Sequence, residues 1–211
     1  MSLVVEDLAV GHPGLAPVLS GVGLTVEPGT IVGVVGPNGA GKTTLLESIA
    51  GLLACRGGSI TLDGRKVDGR SAADRRHDGI ALVREGRRIF ASLSVEENLL
   101  VAHRGRRSSR SREQVLERSY EQFPRLTERK HLSGALLSGG EQQMLAIARA
   151  TAEPASVLLA DEPYMGLSWK ICDEVTRALH RMREQGMALL VADESERSLR
   201  DLGVDHVVRL H

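Results

Sequence analysis

The chain has 211 residues, and its 27 Lys plus Arg balance 27 Asp plus Glu, so no overall field would hold it on nucleic acid or acidic lipid. That length serves one domain with a real core, or a larger lobe carrying a smaller inserted one, and excludes two full domains. No apolar run approaches the roughly 20 residues that span a bilayer, Met1 opens no charged-then-apolar signal segment, and aromatic residues at 2% supply few stacking platforms for single-stranded nucleic acid. The expectation is a soluble, cytosolic chain in which Cys55 and Cys172, without CxxC or Cys/His spacing, are packed and reduced.

Strand-like runs fall at Leu3 to Val10, Val22 to Val26, Ile31 to Val35, Ile60 to Leu62, Ile80 to Val83, Val157 to Ala160, Ala188 to Val191 and Val207 to Leu210, alternating with longer helix-compatible stretches. This predicts an α/β fold. Turn signals at Glu27 Pro28 Gly29 and Asp63 Gly64 join the early strands and suggest an antiparallel β-layer beside the main sheet. A helix is expected from Lys42 to Leu53. From about Glu85 to Glu153 strand signals nearly vanish, and helical pieces at Val95 to Ala102, Glu113 to Gln122 and Glu141 to Ala152 predict an α-helical insert; a further helix is expected over Ser168 to Gln185. No internal repeat is visible. The biased segment Arg104 to Arg112, with Arg104, Arg106, Arg107, Arg110 and Arg112, reads either as a solvated loop or as a contact with lipid phosphates or an acidic partner.

Three motifs carry chemistry. Gly36 Pro37 Asn38 Gly39 Ala40 Gly41 Lys42 Thr43, followed by Thr44, fits G-x-x-x-x-G-K-[ST] between an incoming strand and an outgoing helix. Glycines let backbone amides approach phosphate oxygens, Lys42 neutralises the β/γ charge, and Thr43 offers a hydroxyl to Mg²⁺. The helix N-terminus also favours an anion. Asp161 ends the apolar run from Val157 and would present an oxygen ligand for a hard cation at the sheet edge. Glu162 comes next, suited to orient or deprotonate a water attacking the γ-phosphate; the plainer alternative for this pair is helix capping. In Leu137 Ser138 Gly139 Gly140 Glu141 Gln142 Gln143, a Ser-Gly-Gly turn opening a helix offers backbone N–H groups to an anion, or Ser138 serves only as a cap.

Those three motifs, in that order, resemble the nucleotide-binding domain of an ABC ATPase over nearly the entire chain. The implied fold is an α/β P-loop NTPase core with a mostly parallel sheet, an antiparallel β-layer and an inserted α-helical subdomain. The expected division is a core of 1–84 and 154–211 with a helical subdomain over 85–153. Glu85 Gly86 Arg87 Arg88 Ile89 Phe90, Leu93 Ser94 Val95 Glu96 Glu97 Asn98 Leu99, Phe123 Pro124 Arg125 Leu126 and Ser138 to Ile147 resemble the ATP-binding subunits of branched-chain amino-acid importers in particular. The resemblance implies Mg·ATP sandwiched between the P-loop of one copy and the Ser138 Gly139 Gly140 turn of a second. It also implies pairing as a homodimer or with a different ATPase subunit, attachment to transmembrane permease subunits at the inner face of the membrane, and an indirect link to a substrate-binding protein. Most members place Gln where this chain has Glu85; its carboxylate can still approach Mg²⁺ and the water, or can pair with Arg87 or Arg88.

Other departures stand out. Glu194 occupies the place of the family's switch histidine. A carboxylate about 4 Å from a γ-phosphate oxygen would cost on the order of 4 kcal/mol per charge pair at an effective dielectric of 20. Glu194 is therefore expected to be protonated, turned away or held by a cation, and hydrolysis to be slower than in a histidine-bearing relative. His12 stands roughly where relatives stack an aromatic on adenine, or is an ordinary loop histidine. Tyr164 Met165 Gly166 Leu167 Ser168 Trp169 Lys170 departs from the usual dimer-contact loop; Trp169 either alters dimer geometry or is a partly buried helix anchor. With His211 soon after the last expected strand, little of a regulatory tail is expected. The expected activity is Mg-dependent ATP hydrolysis energising import of a small solute. The alternatives are a nucleotide-gated binding module with residual turnover, or a soluble non-transport ABC ATPase, whose usual long insertions or second cassette are not seen here.

Overall fold

The structure, a computed structural model, describes residues 1–11, 16–103 and 110–211. His12, Arg104, Arg106 and Arg107 lie outside the described residues. Two compact units emerge: Met1–Leu82, Ala155–Pro163 and Leu179–His211 form one, and Val83–Pro154 with Tyr164–Ala178 form the other.

The first unit holds two sheets. Strands β1 (Leu3–Val10), β2 (Leu19–Val26), β4 (Cys55–Leu62) and β5 (Arg65–Lys66) make an antiparallel layer in the order β2-β1-β4-β5. β2 buries Leu19, Val22, Leu24 and Val26 on one face and exposes the residues between, as a half-covered strand should. Strands β3 (Ile31–Val35), β6 (Ile80–Val83), β7 (Val157–Asp161), β8 (Ala188–Asp193) and β9 (His206–Arg209) make the second sheet in the order β6-β7-β8-β3-β9, with β7, β8, β3 and β9 parallel. Every residue of β7 and β8 is buried, which explains their unbroken apolar runs. Asp63 Gly64 turns β4 into β5 with both residues at positive φ. Glu27 Pro28 Gly29, by contrast, joins no hairpin: it carries the chain from the antiparallel layer to the parallel sheet.

Helix α1 (Lys42–Ile49) buries Leu45, Leu46 and Ile49 and ends earlier than its pattern suggests, because the chain turns at Gly51 with φ 79°. Helices α2 (Ala72–His77) and α8 (Glu196–Leu202) are short, charged and capped by Ser71 and Ser195, so neither has the apolar stripe that would announce it. Between them in chain order lie α3 (Val95–Leu100), α4 (Arg112–Gln122), α5 (Arg125–Glu128), α6 (Gly139–Thr151) and α7 (Trp169–Glu184). The second unit is built from α3 to α6 and the first part of α7. Within it the buried Asn98 takes the Phe90 amide and gives its own amide to the carbonyls of Phe90, Leu93 and Ser94, pinning that loop. Arg110, from the arginine-rich segment, donates to the Ala152 carbonyl at the end of α6 at 2.5 Å. Cys55 and Cys172 are free thiols, each partly buried. No described helix is long and apolar enough to cross a membrane.

Candidate active site

Residues 36–41 link the end of β3 to α1, and the backbone there is set by Gly41, the N-cap of α1, at φ 93°. No side chain caps this helix, so its first N–H groups are left for an anion. A side chain at Gly41 would be strained by that φ and would meet Leu19 Cδ2 at 2.6 Å. Gly36 and Ala40 are buried, while Pro37, Asn38 and Gly39 form the exposed tip, closed by the Ala40 amide on the Pro37 carbonyl at 3.1 Å. Lys42 is 6% exposed; its ammonium donates to the Gly36 carbonyl at 2.8 Å and the Pro37 carbonyl at 3.4 Å. Thr43 is exposed, and the Thr44 carbonyl accepts from Ser48 Oγ inside α1.

Parallel strands bring the acidic residues to the same place. Thr43 Oγ1 donates to Asp161 Oδ2 at 2.7 Å, and Glu162 Oε1 lies 3.4 Å from Lys42 Nζ. Glu162 has φ 48°, a left-handed backbone that a non-glycine residue adopts only when its surroundings impose it; its amide is tied to the Ala192 carbonyl at 2.9 Å. The sequence reading missed Asp193. It ends β8 opposite Val35 of β3, and its Oδ1 accepts from the Ser195 amide at 2.7 Å. Burial pushes its carboxyl up, against the opposing pull of the Ser195 amide and the Lys42 ammonium. The available signal was that β8, like β7, is an apolar run closed by an aspartate. Glu194 follows, exposed, and its Oε2 accepts from Asn38 Nδ2 at 3.3 Å. Its carboxylate is directed at the phosphate loop and meets an amide there.

The second unit holds the other candidates. Glu85 is exposed, and among the described residues it forms no pair with Arg87 or Arg88; Arg87 turns instead to Gln142 Oε1 at 3.3 Å. Gly86, Arg87 and Arg88 all have positive φ. Ser138 is the N-cap of α6 in a full capping box: its Oγ accepts from the Glu141 amide at 3.3 Å while its own amide donates to Glu141 Oε2 at 2.9 Å. Arg129 holds the other Glu141 oxygen at 3.0 Å. Burial works to raise the Glu141 carboxyl, but the Ser138 amide and Arg129 outweigh it and hold the carboxyl low. Gly139 follows the cap beside the Arg87 guanidinium, and a Cβ on Gly140 would lie 2.7 Å from Ile171 Cγ2, so this turn admits no larger residue. Trp169 is 75% exposed, which rules out its reading as a buried anchor, and Lys170 lies over its ring at 5.6 Å.

A family profile described as ABC transporter matches residues 19–165. The chain belongs to the ABC transporter family. It is 37% identical over 190 residues to the high-affinity branched-chain amino acid transport ATP-binding protein BraG of Pseudomonas aeruginosa, covering 90% of this chain and 81% of BraG. It is 33% identical over 202 residues to the lipopolysaccharide export system ATP-binding protein LptB of Haemophilus influenzae, covering 95% of this chain and 83% of that protein. A solved structure described as the ATP binding subunit of an ABC transporter superposes with a TM-score of 0.85 at 27% identity, over 100% of this chain and 86% of the other. This chain is thus an ABC transporter ATP-binding subunit, with the α/β cassette fold that its parallel sheet, antiparallel layer and helices display.

Proposed function

We propose that this ATP-binding subunit hydrolyses Mg·ATP to drive permease subunits that import a small solute, branched-chain amino acids before others. The observation that carries the catalytic part is the meeting of Lys42, Thr43, Asp161 and Glu162 at hydrogen-bond and ion-pair distances within one unit. The cargo class rests on the likeness to BraG.

The backbone of residues 36–41 and the N-terminus of α1 cradle the phosphates, and Lys42 offsets their charge. Lys42 is paired with Glu162. A phosphate drawing Lys42 away releases that carboxylate to orient a water and accept its proton, an effect worth about 10² to 10⁴ in rate. Thr43 Oγ1 and Asp161 Oδ2 are hard oxygen donors 2.7 Å apart, a donor set that fits Mg²⁺. The metal, when bound, supplies charge neutralisation of the β and γ phosphates. Ser138 Gly139 Gly140 and the helix they open would complete the site of a second ATPase subunit, identical or different, and the pair would sit at the inner face of the membrane on its permeases. A substrate-binding protein would deliver the cargo.

A second reading is favoured by Glu194 on Asn38: ATP closes the pair but turnover is residual. Mg²⁺-dependent phosphate release by the purified chain, with Glu162→Gln as the matched control, separates the two. Turnover by the wild type alone supports the ATPase; equal background release from both proteins overturns it in favour of the gated module.

A further inference from the structure

We infer that Glu194 is a nucleotide-specificity residue, a built-in competitor that disfavours triphosphate over diphosphate at this subunit's own P-loop. The inference rests on the nucleotide site proposed above. In that site the phosphate-binding loop is occupied by two of the chain's own carboxylates. Glu162 takes the Lys42 ammonium at 3.4 Å and Glu194 takes the Asn38 amide at 3.3 Å.

The two are not equivalent. Glu162 is mostly buried, its backbone is constrained to φ 48°, and its partner is a cation that can turn to a phosphate. Glu194 is exposed, one residue beyond the end of β8, and its partner is a neutral amide. A neutral amide leaves the carboxylate's charge uncompensated. Asn38 adjoins Pro37, whose carbonyl, with that of Gly36, holds the Lys42 ammonium. Lys42 is the residue that reaches the β/γ end of a nucleotide, so the uncompensated charge stands at the end to which a triphosphate adds its γ group. A diphosphate lacks that added group. A triphosphate brings its most highly charged group to that charge. At a solvated surface the repulsion between two such like charges changes an equilibrium by about three- to eightfold.

The test is equilibrium binding of two probes, ADP and the non-hydrolysable imido analogue of ATP, to the wild type and to Glu194→Gln, by titration calorimetry with Mg²⁺. Glutamine keeps an oxygen for Asn38 and removes only the charge, and the exposed position makes the variant safe to fold. The expected result is analogue binding tightened about three- to eightfold with ADP nearly unchanged, and a wild-type preference for ADP that narrows as NaCl is raised from low to molar concentration. Equal tightening of both nucleotides, or no change in their ratio, overturns the assignment while leaving the site intact. Failure of either protein to bind either nucleotide overturns the underlying nucleotide site as well.

Discussion

Arg75 is a buried peg, and its replacement by methionine tests how the helix behind the phosphate loop is anchored. The side chain is 2% exposed and donates to four main-chain carbonyls: Ser48 at 2.7 Å, Ile49 at 3.1 Å, Asp68 at 2.6 Å and Arg70 at 3.1 Å. Ser48 and Ile49 end α1, the helix that begins at Lys42; the Ser48 carbonyl also accepts from the Gly51 amide at 3.1 Å, so the guanidinium is an added donor there and supplies the Ile49 carbonyl, which the helix itself does not satisfy. In Arg75→Met the bonds to Asp68 and Arg70 are replaced by water, because those carbonyls are only part-buried. The bonds to Ser48 and Ile49 are buried; the abandoned Ile49 carbonyl costs about 1–3 kcal/mol, while the Ser48 carbonyl keeps the Gly51 amide and its lost bond costs about 1 kcal/mol. Burial already pulls the Arg75 pKa down, so relief of that desolvation returns part of the loss. The net expectation is about 2 kcal/mol of destabilisation. For a chain of this size it lowers Tm by about 4–8 °C, read by calorimetry and by urea melts. Arg75→Lys should recover little, since one ammonium cannot reach four acceptors on separate segments. A loss below about 1 kcal/mol in Arg75→Met would refute the anchoring argument.

Gly41→Ala should cost about 2–4 kcal/mol, from a left-handed backbone and the 2.6 Å approach to Leu19, and should abolish nucleotide binding, measured by calorimetry; an alanine variant that still binds normally would contradict the geometry. Tyr120 has no hydrogen-bond partner for its hydroxyl among the described residues, so Tyr120→Phe should leave stability at pH 7 unchanged or slightly raised in urea melts. Burial, with Glu96, pushes that phenol up to about 12. Its raised folded pKa makes a contribution to wild-type stability that is whole below pH of about 10 and fades as pH climbs through about 12, and the phenylalanine variant should lack that decline. Ser138→Ala removes the cap of α6 and should cost about 1 kcal/mol. It should also lower phosphate release, whereas Ser138→Asp, an equally good cap, should restore only the stability; recovery of turnover with aspartate would mean that Ser138 acts solely as a cap.

What the sequence determined by itself is what lies within a few residues. The strand-loop-helix around Lys42, the apolar run closed by Asp161, the Ser138 cap with Glu141 three residues on, and the Asp63 Gly64 hairpin are all written in short spacings, because backbone conformation and capping depend on immediate neighbours. Arg75 could not be read this way: amid Asp74, Arg76 and His77 it looks like one more solvated charge, and only the packing of α2 against the end of α1 buries it. Asp193 was hidden for a related reason, since its closeness to Lys42 follows from β8 lying parallel to β3. The same holds for Lys42 with Glu162 and for Asn38 with Glu194, pairs more than a hundred residues apart in the chain. Glu27 to Gly29 carried a sound turn signal, but whether the turn closes a hairpin or passes between sheets was decided by where β3 found its partners. Local chemistry specified which groups could act on a phosphate; the order and register of parallel strands, set by burying their apolar faces, decided which of them meet.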